Sequence, residues 1–282
     1  MTRSHSPAPV CCCWPLQLRP HGSLLRVRLA LSQWRRSATI DFVASSDAPE
    51  TSNLFDRSKG RCSVSGVGKV YSVNVGKPRE VEFFGKVVST AIFKESVSGA
   101  VTARHLGLEG DKQADLTVHG GPQKAVYFYP REHYAMWEKL LGIGPLAPGA
   151  FGENITSEGF SEADLCIGDV IQIGSTLLQV LQPRSPCYKL QIKFQRPDMV
   201  ALFVHQNRPG WYASVVQEGS LTAGDEITIV SRAPEQISVA DIWRYSLVED
   251  ADLETQQRVR ALELLPGFWK KQILRSEFSS AM

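Results

Sequence analysis

The chain has no long hydrophobic run, no excess of one charge and no acid in its first forty residues. No apolar stretch reaches the about 20 residues that a membrane-spanning helix needs, so we expect no membrane span. The 282 residues include 31 Lys and Arg against 29 Asp and Glu. Without the six arginines of residues 1–40, 25 basic residues remain against 29 acids, a net charge of −4. A general nucleic-acid binder needs a basic face, so we expect no nucleic-acid partner.

Paired cysteines are also absent. Three of the six cysteines are consecutive at residues 11–13, and Cys62, Cys166 and Cys187 form no Cys-x-x-Cys pair. This pattern is neither a disulfide framework nor a zinc or iron–sulfur spacing. A reducing compartment is the simplest interpretation.

The N-terminal segment has a composition of its own. Residues 1–40 are rich in Arg and Ser, as in a transit peptide, although a disordered extension or an unused upstream start explains them equally well. A functional leader predicts a mitochondrial or plastid location, and otherwise we expect a cytoplasmic protein. Residues 41–65 are typical of a linker.

From Gly66 onward, short β-like runs alternate with Gly- and Pro-containing turns. This pattern predicts a mainly β fold, a barrel with a few short helices, over residues 66–232. The expected strands are 67–75, 82–93, 117–118, 124–129, 170–173, 176–182 and 226–230.

Helices are predicted at 130–141, where Gly142 ends the pattern, and at about 199–206. Three short helices are expected in residues 233–282, the first starting at the capping-box-like Ser-Val-Ala-Asp of 238–241. Helices this short bury little surface alone. We therefore expect them to dock on the barrel or on a partner subunit, as in a homodimer.

The segment 182–190, Gln-Pro-Arg-Ser-Pro-Cys-Tyr-Lys-Leu, carries the most chemical information. Two prolines after a predicted strand end fix an irregular, extended loop. Cys187 lies in this loop between Arg184 and Lys189, and nearby cations favour the thiolate that attacks electrophiles or binds a soft metal. On these residues alone, a buried structural cysteine is the commoner outcome.

A second segment places His119, Gly120 and Gly121 before a proline. The glycine pair permits close approach to a ligand, and successive amides there can bind an anion. His119 can donate a hydrogen bond or shuttle a proton. A solvent-facing turn with a structural histidine is the alternative.

A third polar loop, 150–156, contains Asn154 and Thr156. Their side chains either hydrogen-bond a polar ligand or cap the turn.

Five motifs in this order resemble the MOSC family, named for the C-terminal domain of molybdenum cofactor sulfurases, and within it the bacterial YiiM-like subgroup. The resemblance covers about residues 66–232, and the three-helix tail resembles the small α-domain of that subgroup. Gln123 stands where the subgroup often has Asp. The motifs are Thr-Ala-Ile-Phe-Lys at 90–94, Gly-Leu-Glu-Gly-Asp-Lys-Gln-Ala-Asp at 107–115, His-Gly-Gly-Pro at 119–122, Phe-Gly-Glu-Asn-Ile-Thr at 151–156 and Pro-Arg-Ser-Pro-Cys-Tyr-Lys-Leu at 183–190.

The resemblance implies a β-barrel whose cationic pocket holds the molybdenum cofactor, with Cys187 as an additional molybdenum ligand. It also implies a catalytic role for Cys187 and His119. The residues that carry over as candidate pocket residues are Lys94, His119, Gly120, Gly121, Asn154, Thr156 and Arg184.

For activity, the resemblance implies an oxidoreductase that removes the oxygen of N-hydroxylated small molecules such as hydroxylaminopurines. Cys187 would tune the metal, and His119 or a bound water would supply protons. The chain has no Gly-x-Gly-x-x-Gly turn and no cysteine set for a [2Fe–2S] cluster. A separate flavin or iron–sulfur electron donor is therefore expected.

Three alternatives remain open at this point. Cys187 could carry a persulfide as a sulfur carrier, or act with His119 and Asn154 as a cysteine hydrolase. The domain could instead bind or store a cofactor without turnover. Pyridoxal phosphate is not expected, because no lysine can be singled out for a Schiff base.

Overall fold

The computed structural model describes residues 66–116, 119–247 and 251–274, together with the backbone of strands β1 (Leu25–Arg28) and β2 (Thr39–Phe42). These two strands pair antiparallel. Apart from this hairpin, the predicted leader and linker lie outside the described residues, and so does the predicted strand at 117–118.

The remaining strands build a barrel and its extensions. They are β3 (Gly68–Val75), β4 (Arg79–Phe83), β5 (Lys86–Thr90), β6 (Glu95–Ser96), β7 (Val101–Arg104), β8 (Gly107–Leu108), β9 (Val126–Pro130), β10 (Ile155–Glu158), β11 (Val170–Ile173), β12 (Thr176–Pro183), β13 (Trp211–Gln217), β14 (Gly219–Leu221) and β15 (Glu226–Ser231).

Within the described residues, seven strands close the barrel in the order β3, β10, β9, β13, β12, β11, β15 and back to β3. Only the β9–β10 pair in this ring is parallel. Closure leaves no open edge inside the ring. The predicted mainly β barrel is confirmed.

The other strands form smaller sheets or extend a strand of the barrel. Strands β14, β7 and β8 form a three-stranded sheet, and β6 extends β3. The predicted single strand at 82–93 is wrong, because β4 and β5 form a hairpin that turns at Phe84 and Gly85, both with positive φ.

The helices among the described residues are α1 (Tyr134–Leu141), α2 (Lys189–Phe194), α3 (Met199–His205), α4 (Val239–Leu247), α5 (Leu253–Ala261) and α6 (Gly267–Ile273). Helix α1 ends at Gly142, whose φ of 64° is in the left-handed region and whose N–H donates to Glu138 O. The helices predicted at 130–141 and 199–206 are confirmed, and α2 was not predicted. No helix of the described segments is both long and apolar enough to cross a membrane.

An aromatic cluster fills the space between the barrel and α1 and α3. The Phe151 ring lies 4.4 Å from the Tyr129 ring and 5.3 Å from the Trp137 ring, measured between centroids. The same continuous core includes Trp243 of α4 and Trp269 of α6. Burying one large apolar side chain contributes about 1.5–3 kcal/mol, so the C-terminal helices are docked on the barrel of their own chain.

The cysteine spacing predicts no disulfide framework, and Cys166 departs from this expectation. Cys166 is fully buried and disulfide-bonded. In the described part of the chain, Cys187 is the free thiol.

The start of α4 is a capping box in which aspartate takes the usual place of glutamate. Ser238 Oγ accepts a hydrogen bond from Asp241 N at 3.0 Å, and Ser238 N donates to Asp241 Oδ2 at 3.2 Å. Ser238→Ala should lower the free energy of unfolding by about 1 kcal/mol, measured by urea denaturation. Ser185→Ala, at an exposed serine, is the control. Equal stability of the two variants would contradict a role for this cap.

Candidate functional site

The loop between β12 and α2 presents Cys187. Strand β12 ends at Pro183, α2 begins at Lys189, and Leu190 N donates a 3.0 Å hydrogen bond to Cys187 O. The Cys187 thiol is half-buried. The structure therefore confirms that this cysteine lies in an irregular loop just beyond a strand end, within reach of a ligand.

Arg184, in the same loop, is a buried cation. It is 5% exposed, and its guanidinium carbon lies 4.9 Å from the centroid of the Tyr127 ring. Burial lowers the Arg184 pKa, but the neighbouring Tyr127, Tyr212 and Cys187 side chains raise it more, so the net pKa is raised. Its Nη1 has no hydrogen-bond partner, and no carboxylate of the described residues forms an ion pair with it. Such a group carries a desolvation cost of several kcal/mol that an anionic ligand would offset.

His119 lies among several cations. Burial lowers its pKa to about 4, with further lowering from Lys189, Lys124 and Arg184. Its Nδ1 is buried without a partner. At neutral pH the imidazole is therefore uncharged, with one ring nitrogen able to donate and the other able to accept.

These cations come from three different elements. Lys124 lies in the 3-10 turn Pro122–Lys124, Arg184 in the loop after β12, and Lys189 at the first position of α2. The sequence predicts Arg184 as a pocket residue and Lys189 only as a cation beside Cys187, and it gives no signal for Lys124. Lys189 is 7% exposed.

Gly120 and Gly121 connect His119 to the turn that carries Lys124. Both have positive φ, 83° and 82°, which a side chain would strain. A Cβ at Gly120 would approach Gln113 to 3.1 Å, whereas one at Gly121 would meet no atom within 4 Å. The backbone at Gly121 therefore has space beside it for a ligand, which the predicted binding of an anion by these amides requires.

Lys94 and Asn154 belong to a second network, centred on Asp111. The Asp111 carboxylate accepts hydrogen bonds from Lys94 Nζ, from Gly76 N at 2.7 Å and from Asn154 Nδ2 at 3.0 Å. Burial lowers the Lys94 pKa, and Asp111 partly opposes this effect. The positive charge of Lys94 is thus already neutralised by a buried carboxylate.

Asn154 is fully engaged in this network. Its second amide hydrogen is donated to Asn74 O at 3.3 Å, and its Oδ1 accepts from Tyr127 N at 3.1 Å. An asparagine orients a catalytic imidazole by accepting its N–H at Oδ1, and Asn154 Oδ1 already accepts from Tyr127 N, so the cysteine hydrolase hypothesis gains no support.

Thr156 is buried in the barrel wall. Its Oγ1 donates to Glu153 Oε1 at 3.0 Å and accepts from Asn74 Nδ2 at 3.0 Å. Burial raises the pKa of Glu153. The structure therefore brings Cys187, His119 and Arg184 into one region and places Lys94, Asn154 and Thr156 in an adjoining network that holds the barrel together.

The donor set around Cys187 restricts the kind of metal site that is chemically reasonable. Within the described ranges, no three His, Cys, Asp or Glu side chains are grouped to hold a metal ion. Cys187 can ligate a metal only if another molecule brings the other ligands. A cofactor with its own sulfur ligands and an anionic group fits both the thiol and the surrounding cations.

Comparison with known proteins identifies the family. The MOSC domain model matches residues 115–228. The protein YflK of Bacillus subtilis (strain 168) is 38% identical over 208 residues, which cover 74% of this chain and 94% of YflK. The chain belongs to the MOSC domain family.

Three further proteins are similar to this chain, and two of them are named YiiM. YiiM of Escherichia coli (strain K12) is 37% identical over 192 residues, 65% of this chain and 79% of YiiM. The crystal structure of YiiM from Geobacillus stearothermophilus superposes with a TM-score of 0.61 at 32% identity and covers 74% of this chain and 98% of that one. A longer protein named Reductase, from Gibberella moniliformis, is 32% identical over 183 residues, 63% of this chain and 32% of that protein.

The lowered pKa of His119 predicts a pH dependence of stability in this MOSC domain. Between pH 6.5 and about 4 the unfolded chain binds a proton at this residue that the folded chain does not, so stability falls as pH falls through that window. His119→Asn should reduce this slope by at most about 1.4 kcal/mol per pH unit. Urea denaturation at pH 7, 5.5 and 4.5 measures it.

The control for this experiment is His105→Asn, at an exposed histidine, which should keep the wild-type slope. A His119→Asn protein with the wild-type pH dependence would show that the imidazole is not held in its neutral form.

Proposed function

We propose that this chain is a molybdenum-cofactor-dependent reductase that converts N-hydroxylated small molecules, R–NHOH, into R–NH2 and water. The observation that carries the proposal is the half-buried Cys187 thiol beside Arg184, whose buried Nη1 has no partner in the protein. MOSC domains are associated with the molybdenum cofactor, which supports the same assignment.

The site residues fit this cofactor by charge and by donor type. A thiolate suits a soft metal, and Arg184, Lys124 and Lys189 suit a phosphate group. The glycine pair at 120–121 allows a phosphate to approach the backbone. When bound, the cofactor supplies the two-electron chemistry that cleaves the N–O bond.

The chain's own residues bind, orient and handle protons. Arg184 packs against the rings of Tyr127 and Phe203, so its unpartnered Nη1 needs little further side-chain ordering to bind a ligand. His119 stays neutral at pH 7 and can pass one of the two protons that the reduction consumes. The Lys94–Asp111 ion pair fixes the neighbouring wall and leaves the positive charge to the other cations.

Electrons must come from outside this chain, since its sequence offers no flavin, nicotinamide or iron–sulfur motif. The relative named Reductase extends far beyond the matched region, which is 32% of its length. We propose that the electron donor is a separate domain or protein with flavin or iron–sulfur chemistry.

Cys187→Ala tests the thiolate role. Wild type and variant, both purified from a host that makes molybdopterin, are compared for molybdenum, for pterin and for reduction of a hydroxylamine substrate. Activity should fall about 100-fold or more, because even residues behind the metal ligands typically contribute 10–100-fold. Ser185→Ala in the same loop should behave as wild type.

Two outcomes would contradict the proposal. Equal metal content and equal turnover of wild type and Cys187→Ala would make Cys187 a structural residue. A wild type that binds neither molybdenum nor pterin would favour the sulfur-carrier alternative, in which the free Cys187 thiol carries a persulfide.

Arg184→Gln tests the anion-binding role. Without the guanidinium charge, pterin content should fall about tenfold or more, since a buried charge-assisted hydrogen bond contributes 1.5–3 kcal/mol. Arg131→Gln, at an exposed arginine paired with Glu158, is the matched control. Lys189→Gln repeats the test if Arg184→Gln does not fold. Unchanged pterin content in both site variants would exclude these cations as the cofactor anchor.

A further inference from the structure

Gln182, near the end of β12, connects the C-terminal helices to the site. Its side chain is 5% exposed, and both ends of its amide are used. Oε1 accepts a 3.0 Å hydrogen bond from Trp269 Nε1 of α6, and Nε2 donates a 3.0 Å bond to the backbone oxygen of Gln123. Because an indole N–H only donates and a carbonyl only accepts, a flipped amide would lose both bonds. The amide therefore has a single favourable orientation.

Gln123 lies in the loop of residues 119–124, directly before Lys124. It belongs to the turn Pro122–Lys124, which directly follows Gly120 and Gly121. The next residue, Lys124, carries one of the positive charges that act on His119. Two successive glycines leave the preceding segment conformationally free, so a hydrogen bond just beyond them restricts where the loop can lie.

The strand is distorted at this position. A register shift between Val180 and Gln182 breaks the regular alternation of β12, and Val180, Leu181 and Gln182 are all buried. Such bulges re-aim side chains. Gln182 also stands two residues before Arg184, so the same strand end supports both sides of the site.

We propose that Gln182 is a positioning residue through which helix α6 fixes the loop of residues 119–124. The C-terminal helices would then take part in the site, by setting where His119, the glycine pair and Lys124 lie. The consequence for cofactor binding rests on the proposed function. The coupling itself, in which α6 fixes the position of the loop through Gln182, does not.

Gln182 Nε2 donates its hydrogen bond to the backbone oxygen of Gln123, and the Gln123 side chain is exposed. The contact therefore does not depend on which side chain stands at this position.

The chain contains a matched control for this contact. Trp243 Nε1 of α4 donates a 3.0 Å hydrogen bond to Asn207 Oδ1, just after α3 and outside the loop of residues 119–124. Trp243 and Trp269 are each 2% exposed. Replacing either with Phe removes one buried hydrogen bond between the helical tail and the rest of the chain.

The test is amide hydrogen exchange over residues 119–126 in the full chain, comparing wild type with Trp269→Phe, Gln182→Met and Trp243→Phe. In the first two variants exchange of this loop should be about three- to tenfold faster, the factor expected for one or two lost hydrogen bonds. Trp243→Phe should leave the loop at the wild-type rate. Pterin content after purification from a molybdopterin-making host is the second readout and should fall only in the first two variants.

Wild-type exchange in Trp269→Phe and Gln182→Met would overturn the proposal, as would equally fast exchange in Trp243→Phe. Faster exchange of the loop with unchanged pterin content would support the coupling and contradict the cofactor role of the loop. The exchange readout requires neither cofactor nor activity, so failures of the two proposals are distinguishable.

Discussion

The Arg184 guanidinium is buried against the rings of Tyr127 and Phe203, without an ion pair to any carboxylate of the described chain. Lys189 is buried nearby, and burial, reinforced by these cations, lowers the His119 pKa and keeps the imidazole neutral. Positive charge that is buried and uncompensated is unfavourable in a folded protein, and it is tolerated here because the barrel and its aromatic cluster hold these groups in place. We propose that this arrangement is preorganised for an anion, with the Cys187 thiol at its edge.

The adjoining network of Asp111 shows the opposite solution. There the buried Asp111 carboxylate accepts hydrogen bonds from Lys94, Asn154 and the Gly76 amide. The charges of this network are therefore paired with each other. Such satisfied networks rigidify a structure. The Asp111 network holds the barrel wall, whereas in the other region the buried Arg184 Nη1 has no hydrogen-bond partner in the described chain.

The sequence predicts those elements whose apolar periodicity is regular, including β11, β12, β15, α1 and α3. Strand β10 escaped prediction because Thr156 and Ser157 are both fully buried, so its sequence lacks the alternation of a half-buried strand. The local sequence around Cys187 and Arg184 indicated a site. The pairing of Lys94 and Asn154 with Asp111 could not be predicted, because it joins residues 17 and 43 positions apart in the chain.

We propose that the Cys187 sulfur ligates the molybdenum of a bound cofactor. X-ray absorption at the molybdenum edge tests this directly, by counting the sulfur atoms around the metal in loaded wild type and in Cys187→Ser. One sulfur neighbour fewer is expected in the variant, since all other sulfur ligands belong to the cofactor. The same sulfur count in both proteins would contradict it.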